Sequence, residues 1–286
     1  MPEQQLPSWF VPLFAFLFGA LVGSFLNVVI ARVPRGLSIV KPRSRCPGCE
    51  HPIAGYDNVP ILSWLLLRGK CRNCGIAISP RYPFVELAVG LLAVAVVRQF
   101  GPTWWALAAF AFVAALVALT YIDLDHWLLP RSITIPFIAL GLAASLIPGG
   151  PGIVSSAMGA AAGFAAFVLL GFLAERILKK EALGGGDVWL LAMIGAWLGL
   201  GALLPVVLLA SMQGAVIGGV LLIAARRKQQ ATAMPPPKPT GDAEIDDWVP
   251  PEGAVPFGPF LALGAAEYLF FGERLVSWYL GLLTGA

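Results

Sequence analysis

The sequence predicts an all-α polytopic membrane protein of about eight transmembrane helices. Three observations carry that prediction. Of its 286 residues, 58% are hydrophobic and 12% charged, with a mean hydropathy of +0.80; soluble domains carry about 25% charged residues. Apolar runs near the ~20 residues needed to cross a bilayer recur along the whole chain. Lys and Arg gather in alternate connections between those runs, as in a chain threaded back and forth through a membrane.

The runs lie near 9–30, 83–98, 104–122, 132–148, 152–174, 187–200, 203–225 and 255–283. Two of them, 83–98 and 187–200, are short and need flanking residues to span. The first does not read as a cleavable signal peptide, because no positive charge precedes it and "FLNVVIARVP" lacks a small-x-small site. With that helix running inward, the connection 31–82 carries nine Lys and Arg, 123–131 one, 175–186 three and 226–254 four. The opposite side holds only Arg98 and Arg274. This asymmetry places both termini outside the cytoplasm. No block of basic residues points to a nucleic-acid partner; the solvent of this chain is the lipid bilayer.

Two connections exceed what a simple link requires. The segment 226–254, rich in Pro and charge, reads as a flexible cytoplasmic loop. The segment 31–82 holds Cys46-x2-Cys49, 21 intervening residues, and Cys71-x2-Cys74. Paired CxxC knuckles place four thiolates tetrahedrally around a metal, most often Zn²⁺, and the cytoplasmic side is too reducing for disulfides. Iron and a redox dithiol are the alternatives. Four sulfurs leave no open coordination position, so the metal holds structure and does no chemistry. His51 reads as a surface residue, not a fifth ligand. The chain thus divides into a first helix (1–30), a cytoplasmic four-cysteine zinc-binding domain (31–82) and a membrane core (83–286).

Ionisable groups in or near spans are costly and are functional candidates: Glu86, Asp123, Asp125, Asp187 and Glu267. Asp123 ends the third span in "TYIDLDHWLLP" and Asp187 begins the sixth in "GGGDVWL", at one depth on one side. Two aspartates that meet share a proton; one activates water while the other protonates the departing group of a scissile amide. No Ser/His/Asp or HExxH pattern competes. Plainer roles stand beside this one: Asp187 as a helix cap, and Asp123 and Asp125 as solvated turn residues. From helix ends alone, Asp187 at an N-terminus is expected to be the base and Asp123 near a C-terminus the acid.

Together with the paired CxxC loop, "GSFLNVVIARVP", "SPRYPFVE", "IDLDHWLLP", "GGGDVWLLAMIGAWLG" and "VPFGPFLALGA" resemble the bacterial type IV prepilin peptidases. These are bifunctional leader peptidase/N-methyltransferases of pilus and type II secretion systems, in the GxGD-type intramembrane aspartic peptidase family. The resemblance covers nearly the whole chain. It implies cleavage of a prepilin or pseudopilin after the Gly ending a short basic leader, at the cytoplasmic face of the inner membrane. Methylation of the new N-terminus by S-adenosylmethionine follows. By the same resemblance Asp123 and Asp187 are the catalytic aspartates, Asp125 is a bystander, and Glu86 belongs to the methyltransferase. The acidic "GDAEIDD" is a candidate partner for a basic leader.

The methyltransferase has no signature of its own, since no strand–GxGxxG–helix unit is present. An interfacial Glu86 holding a substrate ammonium competes with a Glu86 paired to Arg81 or Arg32. The apolar stretch following "FLALGA" leaves Glu267 without a role. Two other classes remain: a carboxylate-dependent membrane transporter, which calls for internal repeats not seen here, and a zinc-stabilised membrane scaffold for a pilus or secretion assembly.

Overall fold

The computed structural model describes residues 7–178, 184–231 and 255–284. Its helices are α1 (Phe10–Arg32), α2 (Leu62–Leu66), α3 (Arg81–Phe100), α4 (Trp104–His126), α5 (Arg131–Ala144), α6 (Ile153–Leu178), α7 (Gly185–Leu198), α8 (Leu203–Ala231) and α9 (Gly258–Thr284). Among the described residues there is no strand, only two isolated bridges in the segment between α1 and α3. Every apolar run of the sequence coincides with a helix. The loop expected at 226–254 begins later than its composition suggested, because α8 continues to Ala231. The "GDAEIDD" stretch lies outside the described residues.

Among the described residues five helices, α1, α3, α4, α6 and α8, are long and apolar enough to cross a membrane. The short run at 83–98 gains flanking residues and becomes the 20-residue α3. By contrast α5 and α7 have 14 residues each and reach about 21 Å, short of the ~30 Å hydrocarbon core. Both start beside the aspartates described below.

Water does not drive helices together inside lipid, so close approach of small residues does. Gly19 and Gly23 of α1 lie against α3, where an added Cβ would strike the Val89 carbonyl or the Glu86 backbone. Gly159 of α6 and Gly195 of α7 meet so closely that a Cβ on either would enter the other's backbone. Between these pairs stands α4, whose Phe112, Leu119 and Ile122 are fully buried; it touches α1, α3, α5 and α9. Trp197 of α7 stacks on Phe112 at 5.1 Å, and its indole Nε1 donates to the Phe137 carbonyl at 2.7 Å. That carbonyl lies in α5, which contains Pro136. Deeper along the membrane, Gln213 Nε2 donates to Glu267 Oε2 at 2.6 Å. An α8–α9 hydrogen bond therefore accounts for the acid the sequence left unexplained.

Candidate active site

Asp123 comes from the last turn of α4 and is buried. The helix stops three residues later, where Trp127 takes a left-handed conformation (φ 53°) and its N–H closes on the Asp123 carbonyl at 2.9 Å. Leu129 and Pro130 then lead into α5. Asp187 is the third residue of α7 and is also buried. Its helix is capped by Gly184 without any side-chain bond, and Asp187 Oδ1 is buried with no hydrogen-bond partner among the described residues. The capping role is therefore not the one Asp187 plays.

The two carboxylates are close enough for their charges to interact. Leu129 fixes the approach: a Cβ on Gly186 would strike its side chain, and so would one on Gly258. Gly258, the first residue of α9, supplies what the sequence did not assign. Its backbone N–H, free in the first turn of a helix, donates to the Asp123 carboxylate. A side chain there would collide with Asp123 Oδ2, and Pro259 next to it has no N–H to offer. The Gly-Pro pair opening an apolar run was the available signal.

Asp125 faces elsewhere. Its Oδ1 accepts a hydrogen bond from Arg81 Nη1 at 2.9 Å, and its Oδ2 forms an ion pair with Nη2 at 2.7 Å. The guanidinium lies 4.6 Å from the Tyr121 ring. This pair ties the start of α3 to the end of α4.

The four cysteines converge. Their sulfurs all lie within 4.8 Å of one another, and Cys46 and Cys74 Sγ are 3.7 Å apart. A tetrahedron of sulfurs at a Zn–S distance of ~2.3 Å has an edge of roughly 3.8 Å, so the donor set fits a metal of that kind. The knuckles repeat each other. Cys46 N–H bonds the His51 carbonyl as Cys71 N–H bonds that of Ile76, and the bridges Arg45–Pro52 and Lys70–Ala77 close both. Glu50 occupies with φ 55° the place that Gly75 takes with φ 71°. His51 contributes its carbonyl to this turn and its side chain is exposed.

Glu86 sits one turn into α3 and is buried. It makes neither of the ion pairs considered from the sequence. Arg81 is committed to Asp125, and Arg32 donates to the Ser38 and Pro42 carbonyls at 2.9 and 2.8 Å. Instead Glu86 Oε2 accepts from the Ile61 N–H at 2.6 Å, and its carboxylate also accepts from the Ser24 hydroxyl. Beside it opens a cavity of about 620 Å³ between the segment joining α1 to α3 and the ends of those two helices. In its wall Arg72 grips Asp57 with Nε–Oδ2 at 2.8 Å and Nη2–Oδ1 at 2.7 Å, holding that carboxyl below the usual carboxylate range.

Comparison with known proteins fits this architecture. The family described as "Bacterial Peptidase A24 N-terminal domain" matches residues 17–100, and "Type IV leader peptidase family" matches residues 110–219. A prepilin leader peptidase/N-methyltransferase of Myxococcus xanthus (strain DK1622) is 43% identical over 96% of this chain and 95% of its own. Its counterpart from Aeromonas hydrophila is 39% identical over 95% and 94%. That of Neisseria gonorrhoeae is 41% identical over 74% and 82%. No solved structure matches the chain. A helical membrane chain with two buried aspartates near enough for their charges to interact, a four-cysteine cluster and relatives aligned over nearly its whole length belongs to the type IV leader peptidase family.

Proposed function

We propose that this protein is a multi-pass inner-membrane aspartic peptidase that removes the leader from type IV prepilins or pseudopilins. It then N-methylates the new terminus with S-adenosylmethionine. The observation that supports the reading is the burial of Asp123 and Asp187, at the ends of α4 and α7, near enough for their charges to interact. Two carboxyl groups sharing one proton supply both the base that activates water and the acid that protonates the leaving amine; they titrate as a pair. The peptide carbon gains the water oxygen as its C–N bond breaks, and the proton passes to the amine.

The roles differ from those expected from helix ends. Asp123 also faces a helix N-terminus, that of α9, and receives a direct N–H from Gly258. A hydrogen bond to a charged group contributes about 1.5–3 kcal/mol, against typically ~0.3–1 kcal/mol for a helix end. The contact outweighs the dipole, so Asp123 is assigned as the base and Asp187 as the acid.

The excess of Lys and Arg in alternate connections supports a site on the cytoplasmic side. The four-cysteine unit within 31–82 holds a structural Zn²⁺ through Cys46, Cys49, Cys71 and Cys74, and Glu86 takes the proton of the substrate ammonium before methyl transfer. Incubating purified protein with a prepilin tests the peptidase: cleavage is lost in both Asp123→Ala and Asp187→Ala. Unaltered cleavage in either variant removes that residue from the mechanism.

A further inference from the structure

We propose that α2 is a membrane foot: its leucine face lies in the lipid leaflet where α1 ends and α3 begins, and the partner of this surface is an anionic bilayer. The inference needs only that α1 and α3 cross a membrane. Rotation of the short helix comes first. α2 spaces Leu62, Leu65 and Leu66 at i, i+3 and i+4, along one face. Ser63 is buried and its hydroxyl donates to the Tyr56 carbonyl at 3.0 Å, while Trp64 Nε1 donates to the Ile78 carbonyl at 3.0 Å. These bonds occupy the inner face. The three leucines are left outward, 53%, 58% and 74% exposed.

Depth follows from Glu86. Its carboxylate accepts from the Ile61 N–H at 2.6 Å and from the Ser24 hydroxyl, so the start of α2 is level with the side chains of those two helices. Ser24 lies eight residues before the end of α1, and Glu86 five residues after the start of α3. At 1.5 Å per residue these are about 12 Å and about 8 Å along the helices. With 20 residues, α3 has only the ~20 that a span requires and none to spare for water. The start of α2 is therefore level with residues that α3 needs in order to cross. At the same level α3 exposes Phe84 and Leu87, and the leucines of α2 belong to that apolar band. A stripe of this kind marks an interaction surface, and here the neighbouring surface is lipid.

The charges suit an anionic leaflet. Residues 33–80 hold seven Lys and Arg against two acids, Glu50 and Asp57, and Arg72 is paired with Asp57. Arg68 and Lys70 follow the leucines directly and are exposed. Such side chains lay their stems along apolar surface and carry their charge back to the headgroups, where anionic lipid attracts them. A second apolar strip, Leu37, Ile39 and Val40, is exposed beside Lys41. Arg32 holds that strip's loop against the end of α1 through the Ser38 and Pro42 carbonyls. The four-cysteine unit is thus seated on the membrane at two places instead of hanging from it in water.

The test places reporters in the lipid. The full-length protein is reconstituted into vesicles of phosphatidylcholine and phosphatidylglycerol whose acyl chains carry a photoreactive diazirine, then irradiated and mapped by peptide. We expect lipid adducts on residues 62–66 as well as on the outward face of α3 around Leu91. Adducts on α3 with none on 62–66 overturn the proposal. A second measurement uses nitroxide side chains introduced through an unnatural amino acid, at Leu65 and separately at Leu66, with parental elution and circular dichroism verifying the fold. Oxygen should relax both labels more than a water-soluble nickel chelate does, at a depth of about 5–10 Å. Labels relaxed chiefly by nickel put α2 in water and overturn the proposal. Labels open to nickel until a prepilin is added, and then shielded from both reagents, assign the face to a protein partner and overturn it as well. In vesicles of phosphatidylcholine alone both labels should become shallower; an unchanged depth overturns the assignment to an anionic surface.

Discussion

Gly258 reaches Asp123 across the bundle: the first amide of the last helix is bonded to a carboxylate in the last turn of α4. The contact allows no side chain at the glycine. Gly258→Ala is expected to push Asp123 out of line and lower the leader-cleavage rate roughly 100-fold, the size of effect that a 1 Å misplacement produces. The same variant should methylate a pre-cleaved peptide at the parental rate. Parallel assays of the two activities check this, and equal losses in both would point to general misfolding.

Asp125 is predicted to behave unlike its neighbour two residues earlier. Its ion pair with Arg81 is about one-third exposed on both sides, and such pairs contribute about 0–1 kcal/mol. Asp125→Asn should therefore keep cleavage within about fivefold of the parent. Complete loss in Asp125→Asn with retained activity in Asp123→Asn would exchange their roles. Steady-state cleavage of one prepilin by both variants decides it.

Metal analysis tests the four-cysteine unit. The purified protein should carry one zinc per chain, and Cys46→Ser should carry none, since Cys46 is the buried member of the set. Without metal the segment between α1 and α3 loses the tie between its knuckles. Limited proteolysis should then cut within residues 33–80 while leaving the membrane core whole.

The Trp197–Phe137 bond stands inside the helical core. Interhelical hydrogen bonds of membrane proteins average ~0.6 kcal/mol, with a maximum near ~1.7. Trp197→Phe keeps an aromatic ring over Phe112 but loses the indole donor, and should destabilise by that order. Unfolding in mixed detergent measures it; a loss above ~3 kcal/mol would mean that the ring packing, not the hydrogen bond, was disturbed.

The sequence exposed what repeats or stands out chemically. Hydropathy located every helix of the membrane core, because each must be apolar along its length to sit in lipid. The cysteines were legible from spacing, and Asp123 and Asp187 stood out as acids at the ends of greasy runs. Partnerships across the chain were hidden. Nothing near Asp125 named Arg81, which enters from the start of α3, and nothing near Glu86 announced the amide of Ile61. The role of Gly258 was invisible for a related reason: a backbone N–H is present at every non-proline residue, and only tertiary placement turns one into a partner for a carboxylate. Glu267 and Gln213, too, were readable one by one as polar intruders in apolar helices, but not as a couple.

The order of synthesis gives the α9 contact a temporal meaning. Both aspartates emerge from the ribosome well before Gly258 does, so a growing chain holds the acids without the amide that steadies one of them. Full leader cleavage is thus expected only after α9 has joined α4 and α7, and a copy still lacking α9 should spare the prepilins being made beside it.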